Sequence, residues 1–141
     1  MSTGPVEAGY TLRSITRTIT QERINAYAEA SGDFNPVHLD EEFARNSQFG
    51  QRIAHGMLIL AIVAEMLGKE FPTAWTSGGR LKARFKAPVF ADETVGTYGE
   101  VTDIRQNDGE AMVRLKVGCR KEDGTEVITG EASVPIRNPD S

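Results

Sequence analysis

The segment Ile53–Gly68 constrains the fold more than any other part of the sequence, because it is apolar almost throughout and has a single carboxylate, Glu65. A helix that is apolar on every side is buried on every side. The segment is shorter than the roughly 20 apolar residues that cross a bilayer. In a chain of 141 residues, this pattern predicts a soluble domain whose other elements wrap around one central helix.

Five other segments have the residue types or the alternation of β-strands. Arg80–Ala87 is the clearest, because apolar and basic residues alternate strictly, which predicts one dry face and one wet face. Asn107–Gly109 has the composition of a hairpin turn, as does Asp123–Gly124. The predicted strands are residues 10–19, 80–87, 93–105, 111–119 and 126–136.

Short helices are predicted ahead of the central helix. Thr20 is placed to cap a helix that Gly32 ends. Asp40 is placed to cap a second helix, with Phe43 and Ala44 facing inward. The segments predicted as loops are residues 33–39, 46–52 and 68–75.

Together these elements predict one α+β domain over residues 1–141, with five mainly antiparallel strands wrapped around the central helix. One sheet covers only one side of that helix. The other side needs short helices or a second copy of the chain, so we expect a homodimer, most simply two-fold symmetric, or a higher homo-oligomer.

Composition argues against several classes of function. The net charge of −4 lacks the basic excess of a nucleic-acid binder. The first residues have neither the basic start nor the apolar run of a signal peptide. Cys119 is the single cysteine and is predicted to be a small buried hydrophobe. We therefore expect a cytoplasmic protein with no metal site, no nucleic-acid partner and no membrane association.

Asp33 and His38 have the chemistry of an acid/base pair. They lie five residues apart in a segment predicted to be irregular, close enough to act on one small molecule. A carboxylate and an imidazole aimed at the same water can take one proton from it and return another. Taken singly, each residue has a more ordinary interpretation, Asp33 as a turn residue and His38 as a packing or surface histidine.

Gly56 adds a second part to this site. It stands near the start of the central helix, where glycine costs stability and therefore suggests a close approach of the backbone. The N–H groups at a helix start have no intrahelical acceptor and can hold an oxygen that becomes an enolate. The alternative is that Gly56 only permits tight packing where the loop enters the helix.

The segments that hold these residues, Ala30–Asp40 and Ala54–Leu58, closely resemble the hydratase motif of MaoC-like proteins, the (R)-specific enoyl-CoA hydratases. The Asp-x-Asn-Pro-x-His core and the His-Gly-Met helix entry both match, and the resemblance covers nearly the whole chain. It implies a hot-dog fold, a homodimer and reversible syn hydration of a trans-2-enoyl thioester to the (R)-3-hydroxyacyl product. It implies no cofactor, since coenzyme A or acyl carrier protein would enter as the carrier of the substrate.

The same resemblance implies a role for each residue of the motif. Asp33 and His38 would activate the water and shuttle the proton, and either of them can be the formal base. Gly56 would hold the thioester oxygen through its backbone N–H. Asn35 would orient the site or the substrate, and His55 would support the loop or the helix entry.

Two alternative functions fit the same architecture. Hot-dog thioesterases usually have an acidic residue in or beside the central helix, and the only one here, Glu65, is near the C-terminal end of that helix. A non-catalytic subunit that binds acyl thioesters would not need the pair Asp33 and His38. The basic face of residues 80–86 is either a solvated strand face or a surface that attracts an anionic carrier.

Overall fold

The computed structural model describes residues 6–137. The elements follow the chain in the order β1 (Thr16–Thr18), α1 (Gln21–Ser31), α2 (Pro36–Leu39), α3 (Glu41–Arg45), α4 (Gly56–Glu70), α5 (Pro72–Gly78), β2 (Arg80–Phe85), β3 (Thr94–Asn107), β4 (Glu110–Lys121) and β5 (Glu126–Arg137). All five helices of these residues lie between β1 and β2, so the second half of the chain is a continuous run of strands.

One antiparallel sheet of five strands forms the body of the fold, in the order β1-β3-β4-β5-β2. The strand predicted over residues 111–119 is present as part of β4, and its alternate residues Val113, Leu115 and Val117 are all buried. The hairpin between β3 and β4 turns through left-handed backbone at Asp108 and Gly109, with φ of 45° and 79°. The α+β prediction is therefore confirmed.

The first strand is shorter than predicted. It has three residues instead of covering residues 10–19. Ahead of it, the N–H of Ile15 donates to the side-chain Oγ1 of Thr97 at 2.9 Å. This side-chain bond interrupts the backbone ladder and leaves Thr11 in an isolated bridge to Glu100.

The central helix is α4, and it packs on the sheet through one face. Met57 and Ala61 on its other face are exposed, Met57 by 56 %. The prediction of burial on every side is therefore not met within one chain. Neither α4 nor any other helix in residues 6–137 is long and apolar enough to cross a bilayer. The residues of its buried face, none more than 4 % exposed, are Ile59, Ile62, Val63, Met66 and Leu67.

The predicted helix caps are correct. Thr20 Oγ1 accepts from Arg23 N at 3.1 Å, and Gly32 ends α1 with φ of 78°. Asp40 Oδ1 accepts from Phe43 N at 3.1 Å and so caps α3. Phe43 itself is 50 % exposed, so its predicted inward orientation is wrong.

Two short helices, α2 and α5, begin in segments predicted as loops. Each begins with a proline, Pro36 or Pro72, and proline suits the first turn of a helix because the N–H there has no intrahelical acceptor. Asn35 caps α2, since its Oδ1 accepts from Val37 N at 3.1 Å. Its backbone has ψ of 128°, which matches both the residue before a proline and an N-cap residue.

Candidate active site

Asp33 lies in the connection between α1 and α2, where two local hydrogen bonds fix its position. Its N–H donates to Ser31 Oγ at 3.2 Å, and its Oδ1 accepts from Asn35 N at 3.2 Å. The second bond is the ordinary turn-forming role of an aspartate. It uses only one carboxylate oxygen, and the other, Oδ2, faces His38.

His38 lies on α2, and the segment that enters α4 orients its ring. Its Nδ1 is 2.8 Å from the carbonyl oxygen of Ile53, which can only accept, so Nδ1 is the protonated nitrogen. The N–H of Ile53 donates in turn to the carbonyl of Val37 at 3.2 Å. The two bonds join α2 to the start of α4 and leave Nε2 of His38 free to face Asp33.

The distance between His38 Nε2 and Asp33 Oδ2 is 4.0 Å. A direct hydrogen bond has a length of about 2.7–3.2 Å, so the gap is too wide for one and suits a water that contacts both atoms. The His38 side chain is 11 % exposed and that of Asp33 is 51 % exposed. The fold thus brings the predicted pair together at an accessible point.

His55 contacts both members of the pair. Its ring stacks on that of His38, with centroids 3.9 Å apart and planes at 26°. Its Nε2 donates to the carbonyl oxygen of Asp33 at 3.0 Å. Tyr27 of α1 packs on another side of the ring, with centroids 4.8 Å apart. His55 therefore stands where a supporting residue is expected.

Burial favours the neutral form of His55. The residue is 2 % exposed, and desolvation lowers the pKa of its imidazole, opposed by the hydrogen bond to Asp33. Because Nε2 carries the proton, Nδ1 is an acceptor, and it is buried with no hydrogen-bond partner among the described residues. A protonated His55 would also place a charge against the ring of His38.

Gly56 is the first residue of α4, and His55 is the N-cap residue before it. The N–H of a first helical residue has no acceptor within the helix and lies at the positive end of the helix dipole. A β-carbon built on Gly56 would lie 2.9 Å from Cε1 of Phe85. Close packing at Gly56, the alternative left open by the sequence, is therefore real.

Asp33, His38 and His55 form a candidate metal site, since one ligand atom from each lies within 4.8 Å of the others. Zinc–nitrogen bonds of about 2.0–2.1 Å in a tetrahedron bring ligand atoms to about 3.4 Å from one another. Imidazole lone pairs lie in the ring plane, and these planes are only 26° apart. One nitrogen of each ring is already bonded to a backbone carbonyl oxygen, Nδ1 of His38 to Ile53 and Nε2 of His55 to Asp33, so each histidine has one nitrogen left for a ligand.

Glu65 is paired with basic side chains, and Cys119 is buried in the sheet. Arg17 forms a bidentate pair with Glu65, at 2.5 and 2.8 Å, and Lys69 contacts the same carboxylate at 3.1 Å. Arg17 lowers the pKa of Glu65 to about 2. Cys119 is buried in the sheet, and burial raises the pKa of its thiol to about 12. Neither group is placed to attack a thioester, which argues against the thioesterase alternative.

Phe85 and Tyr27 are the contacts of the site that the sequence does not reveal. Phe85 is one of the apolar residues of segment 80–87, whose apolar face is predicted to be dry, yet it is 54 % exposed and its ring lies against Gly56. Tyr27 packs on His55 from another helix. Both contacts join segments far apart in the chain, and the spacing within one segment carries no signal of them.

Comparison with known proteins identifies relatives of nearly full length. Residues 5–123 match the family model of the MaoC-like domain. The mitochondrial 3-hydroxyacyl-(acyl-carrier-protein) dehydratase of Arabidopsis thaliana is 34 % identical over 137 residues, which cover 96 % of this chain and 80 % of that protein. The (R)-specific enoyl-CoA hydratase of Aeromonas caviae is 32 % identical over 136 residues, which cover 96 % of this chain and 99 % of that protein. The solved structure of the (R)-hydratase from A. caviae is similar, with a TM-score of 0.81 at 30 % identity, over 93 % of this chain and 97 % of that one.

Proposed function

The chain belongs to the MaoC-like domain family, and we propose that it adds water reversibly to a trans-2-enoyl thioester to give the (R)-3-hydroxyacyl thioester. The similar curated proteins are named hydratases or dehydratases of acyl thioesters. The chain is therefore an enzyme of the hydratase and dehydratase class. The (R) configuration is the one that the name of the A. caviae relative states.

The observation that best supports the mechanism is the 4.0 Å separation of His38 Nε2 and Asp33 Oδ2. A water held between these atoms adds its oxygen to C3 of the enoyl group, and the π electrons move toward the thioester carbonyl. The base takes one proton from the water, and a proton returns to C2 on the same face. One O–H bond of water and the π bond between C2 and C3 are broken, and one C–O and one C–H bond form. Asp33 and His38 share the two proton transfers.

The other residues of the motif bind the thioester oxygen or hold the reacting groups in place. The N–H of Gly56 would donate to the thioester oxygen, which gains negative charge in the enolate, and a donor of this kind contributes about 10²–10³ in rate. His55 would keep Asp33 and His38 in place, and Asn35 would hold the start of α2. The chemistry needs water and the thioester, with no resident cofactor or metal.

Incubation with crotonyl-CoA tests this function. Loss of the enoyl absorbance without release of free thiol is the expected result. Release of free thiol would indicate that the protein hydrolyses the thioester instead of hydrating the double bond. Chiral analysis of the 3-hydroxy acid freed from the product should give the (R) form.

The carrier of the acyl group is coenzyme A or acyl carrier protein, both of which occur in the names of relatives. Arg80, Lys82 and Arg84 are exposed along β2, and their positive charge would attract the phosphates or acidic side chains of such a carrier. Replacing these three residues by serine should raise KM for the preferred carrier and should weaken its dependence on salt.

The functional unit is proposed to be a homodimer. Met57 and Ala61 leave the outer face of α4 apolar and exposed. At the edge of the sheet, β2 pairs only with β5 among the described strands. An apolar helix face and an unpaired strand edge are both surfaces that a second copy can cover in a two-fold arrangement.

A further inference from the structure

Gln21 connects α1 to the short helix that holds His38. It is the first residue of α1, and its Nε2 donates to the backbone carbonyl oxygen of His38 at 2.8 Å. The helix α2 ends at Leu39 and supplies no donor of its own to that carbonyl. The amide of Gln21 therefore takes the place of a missing helix bond, although 17 positions of the sequence separate the two residues.

The orientation of this amide follows from its neighbours. Its Nε2 faces a backbone carbonyl oxygen, which can only accept, and it also donates to Oδ1 of Asn25 at 2.9 Å. Its Oε1 is buried and has no hydrogen-bond partner among the described residues. A buried acceptor without a partner is unfavourable, and a methionine of similar size would avoid it. The bond to His38 thus explains a glutamine at this position better than packing does.

His38 is held at three points. Its N–H donates to the carbonyl of Asn35 at 3.0 Å, and Nδ1 of its ring donates to the carbonyl of Ile53 at 2.8 Å. Gln21 holds its own carbonyl oxygen. Only the last of these bonds comes from the side chain of another residue, so a single substitution can remove it and leave the other two in place.

We propose that Gln21 is a positioning residue for His38, which fixes the end of α2 and with it the 4.0 Å gap between Nε2 of His38 and Oδ2 of Asp33. This rests on the proposed function, in which that gap holds the reacting water. A displacement of about 1 Å at a reacting group can lower the rate by about 10²-fold. Loss of the bond should lower kcat and leave KM unchanged, because Gln21 bonds to the backbone of α2 and not to a group proposed to bind the thioester.

The experiment measures kcat and KM for crotonyl-CoA in the wild type, Gln21→Met and Gln21→Glu at about pH 8, where a glutamate is ionised. Methionine keeps the size of the side chain without a donor, and a carboxylate can only accept. Both variants should lower kcat by about 10- to 100-fold and keep KM close to that of the wild type. Circular dichroism checks the fold of each variant, and Gln21→Glu, which stays polar, gives the same comparison if Gln21→Met does not fold.

Asn46→Leu is the matched control. Nδ2 of Asn46 donates to the carbonyl of Glu42 at 3.1 Å, which is the same kind of bond, made to a short helix that carries no residue of the candidate site. If such bonds only anchor a helix, the replacements at both positions lower the free energy of unfolding and keep kcat.

A kcat close to that of the wild type in the Gln21 variants would overturn the assignment, as would an equal fall of kcat in Asn46→Leu or a rise in KM at unchanged kcat. A wild type that hydrates neither crotonyl-CoA nor trans-2-hexenoyl-CoA would overturn the proposed function itself, so the two failures are distinct.

Discussion

The imidazole rings of His38 and His55 stack at 3.9 Å, and a different backbone carbonyl holds each of them. His38 donates from Nδ1 to Ile53, whereas His55 donates from Nε2 to Asp33. The two rings therefore have opposite tautomers. The free nitrogen of His38 faces the carboxylate of Asp33, and that of His55 is buried. One histidine thus turns its free nitrogen toward an accessible carboxylate, and the other has its free nitrogen enclosed.

Replacing Asp33 by asparagine, or His38 by alanine, should lower kcat/KM for crotonyl-CoA by about 10²–10⁴, the usual contribution of acid/base catalysis. Asparagine keeps an oxygen for the turn bond to the N–H of Asn35, so the loop should remain folded. Steady-state kinetics measure the effect. Asp40→Asn is the control, because the side chain of Asp40 caps α3 and asparagine is an equivalent cap. Near wild-type rates in both site variants would show that the assignment is wrong.

Replacing His55 by phenylalanine should change how stability depends on pH. Burial lowers the pKa of His55 below the ordinary value of 6.5, so the unfolded chain takes up this proton at a higher pH than the folded chain. The favourable contribution of the neutral ring is therefore complete above about pH 6.5 and is lost as the pH falls toward the folded-state pKa. The wild type should lose stability relative to His55→Phe over that interval.

Urea unfolding at about pH 7.5 and about pH 5, at one protein concentration, measures the two free energies of unfolding. The quantity of interest is the difference between wild type and variant at each pH. If this difference is the same at both values, His55 does not titrate differently in the folded chain.

The sequence predicts the part of the site that is local. Asp33 and His38 are five residues apart, and the turn signals at Gly32 and Pro36 bring them together within one short segment. The orientation of His38 depends on a hydrogen bond to a residue 15 positions away, and that of the Asp33 loop on His55, which is 22 positions away. No periodicity encodes such contacts, because they form only when α4 docks on the sheet.

The fold shows the same division between features that local sequence predicts and features that depend on contacts between distant residues. Alternation predicts β4 and β5 because successive side chains of a strand point to opposite faces of the sheet. It overestimates β1, where the side chain of Thr97 replaces a ladder bond. It also places Phe85 on a dry face, although this residue ends an edge strand and reaches beyond it to Gly56.

Replacing Glu65 by glutamine should destabilise the chain at neutral pH and have much less effect in acid. Arg17 lowers the folded-state pKa of Glu65 from 4.5 to about 2, so the stabilisation is present above about pH 4.5 and is lost as the pH falls toward 2. The side chain is 31 % exposed, and we expect a loss of roughly 1–2 kcal/mol at pH 7 after allowance for solvent screening.

Denaturant unfolding at pH 7 and at about pH 3 checks this, with Glu41→Gln as the control. Glu41 pairs with Arg45 at 3.9 Å on an exposed surface, and such a pair contributes about 0–1 kcal/mol. Equal losses of stability in Glu65→Gln and Glu41→Gln would mean that the bidentate pair of Arg17 and Glu65 stabilises the chain no more than an exposed ion pair does.

The exposed face of α4 should make the chain a dimer in solution. Replacing Ala61 by arginine places a charge on this apolar face, and burying an unpaired charge in an interface is strongly unfavourable. The wild type should sediment as a dimer and Ala61→Arg as a monomer. Ala26→Arg is the matched control, because Ala26 is an exposed alanine within α1 and the change is the same. A monomeric wild type would contradict the dimer, and a dimeric Ala61→Arg would show that the two copies meet elsewhere.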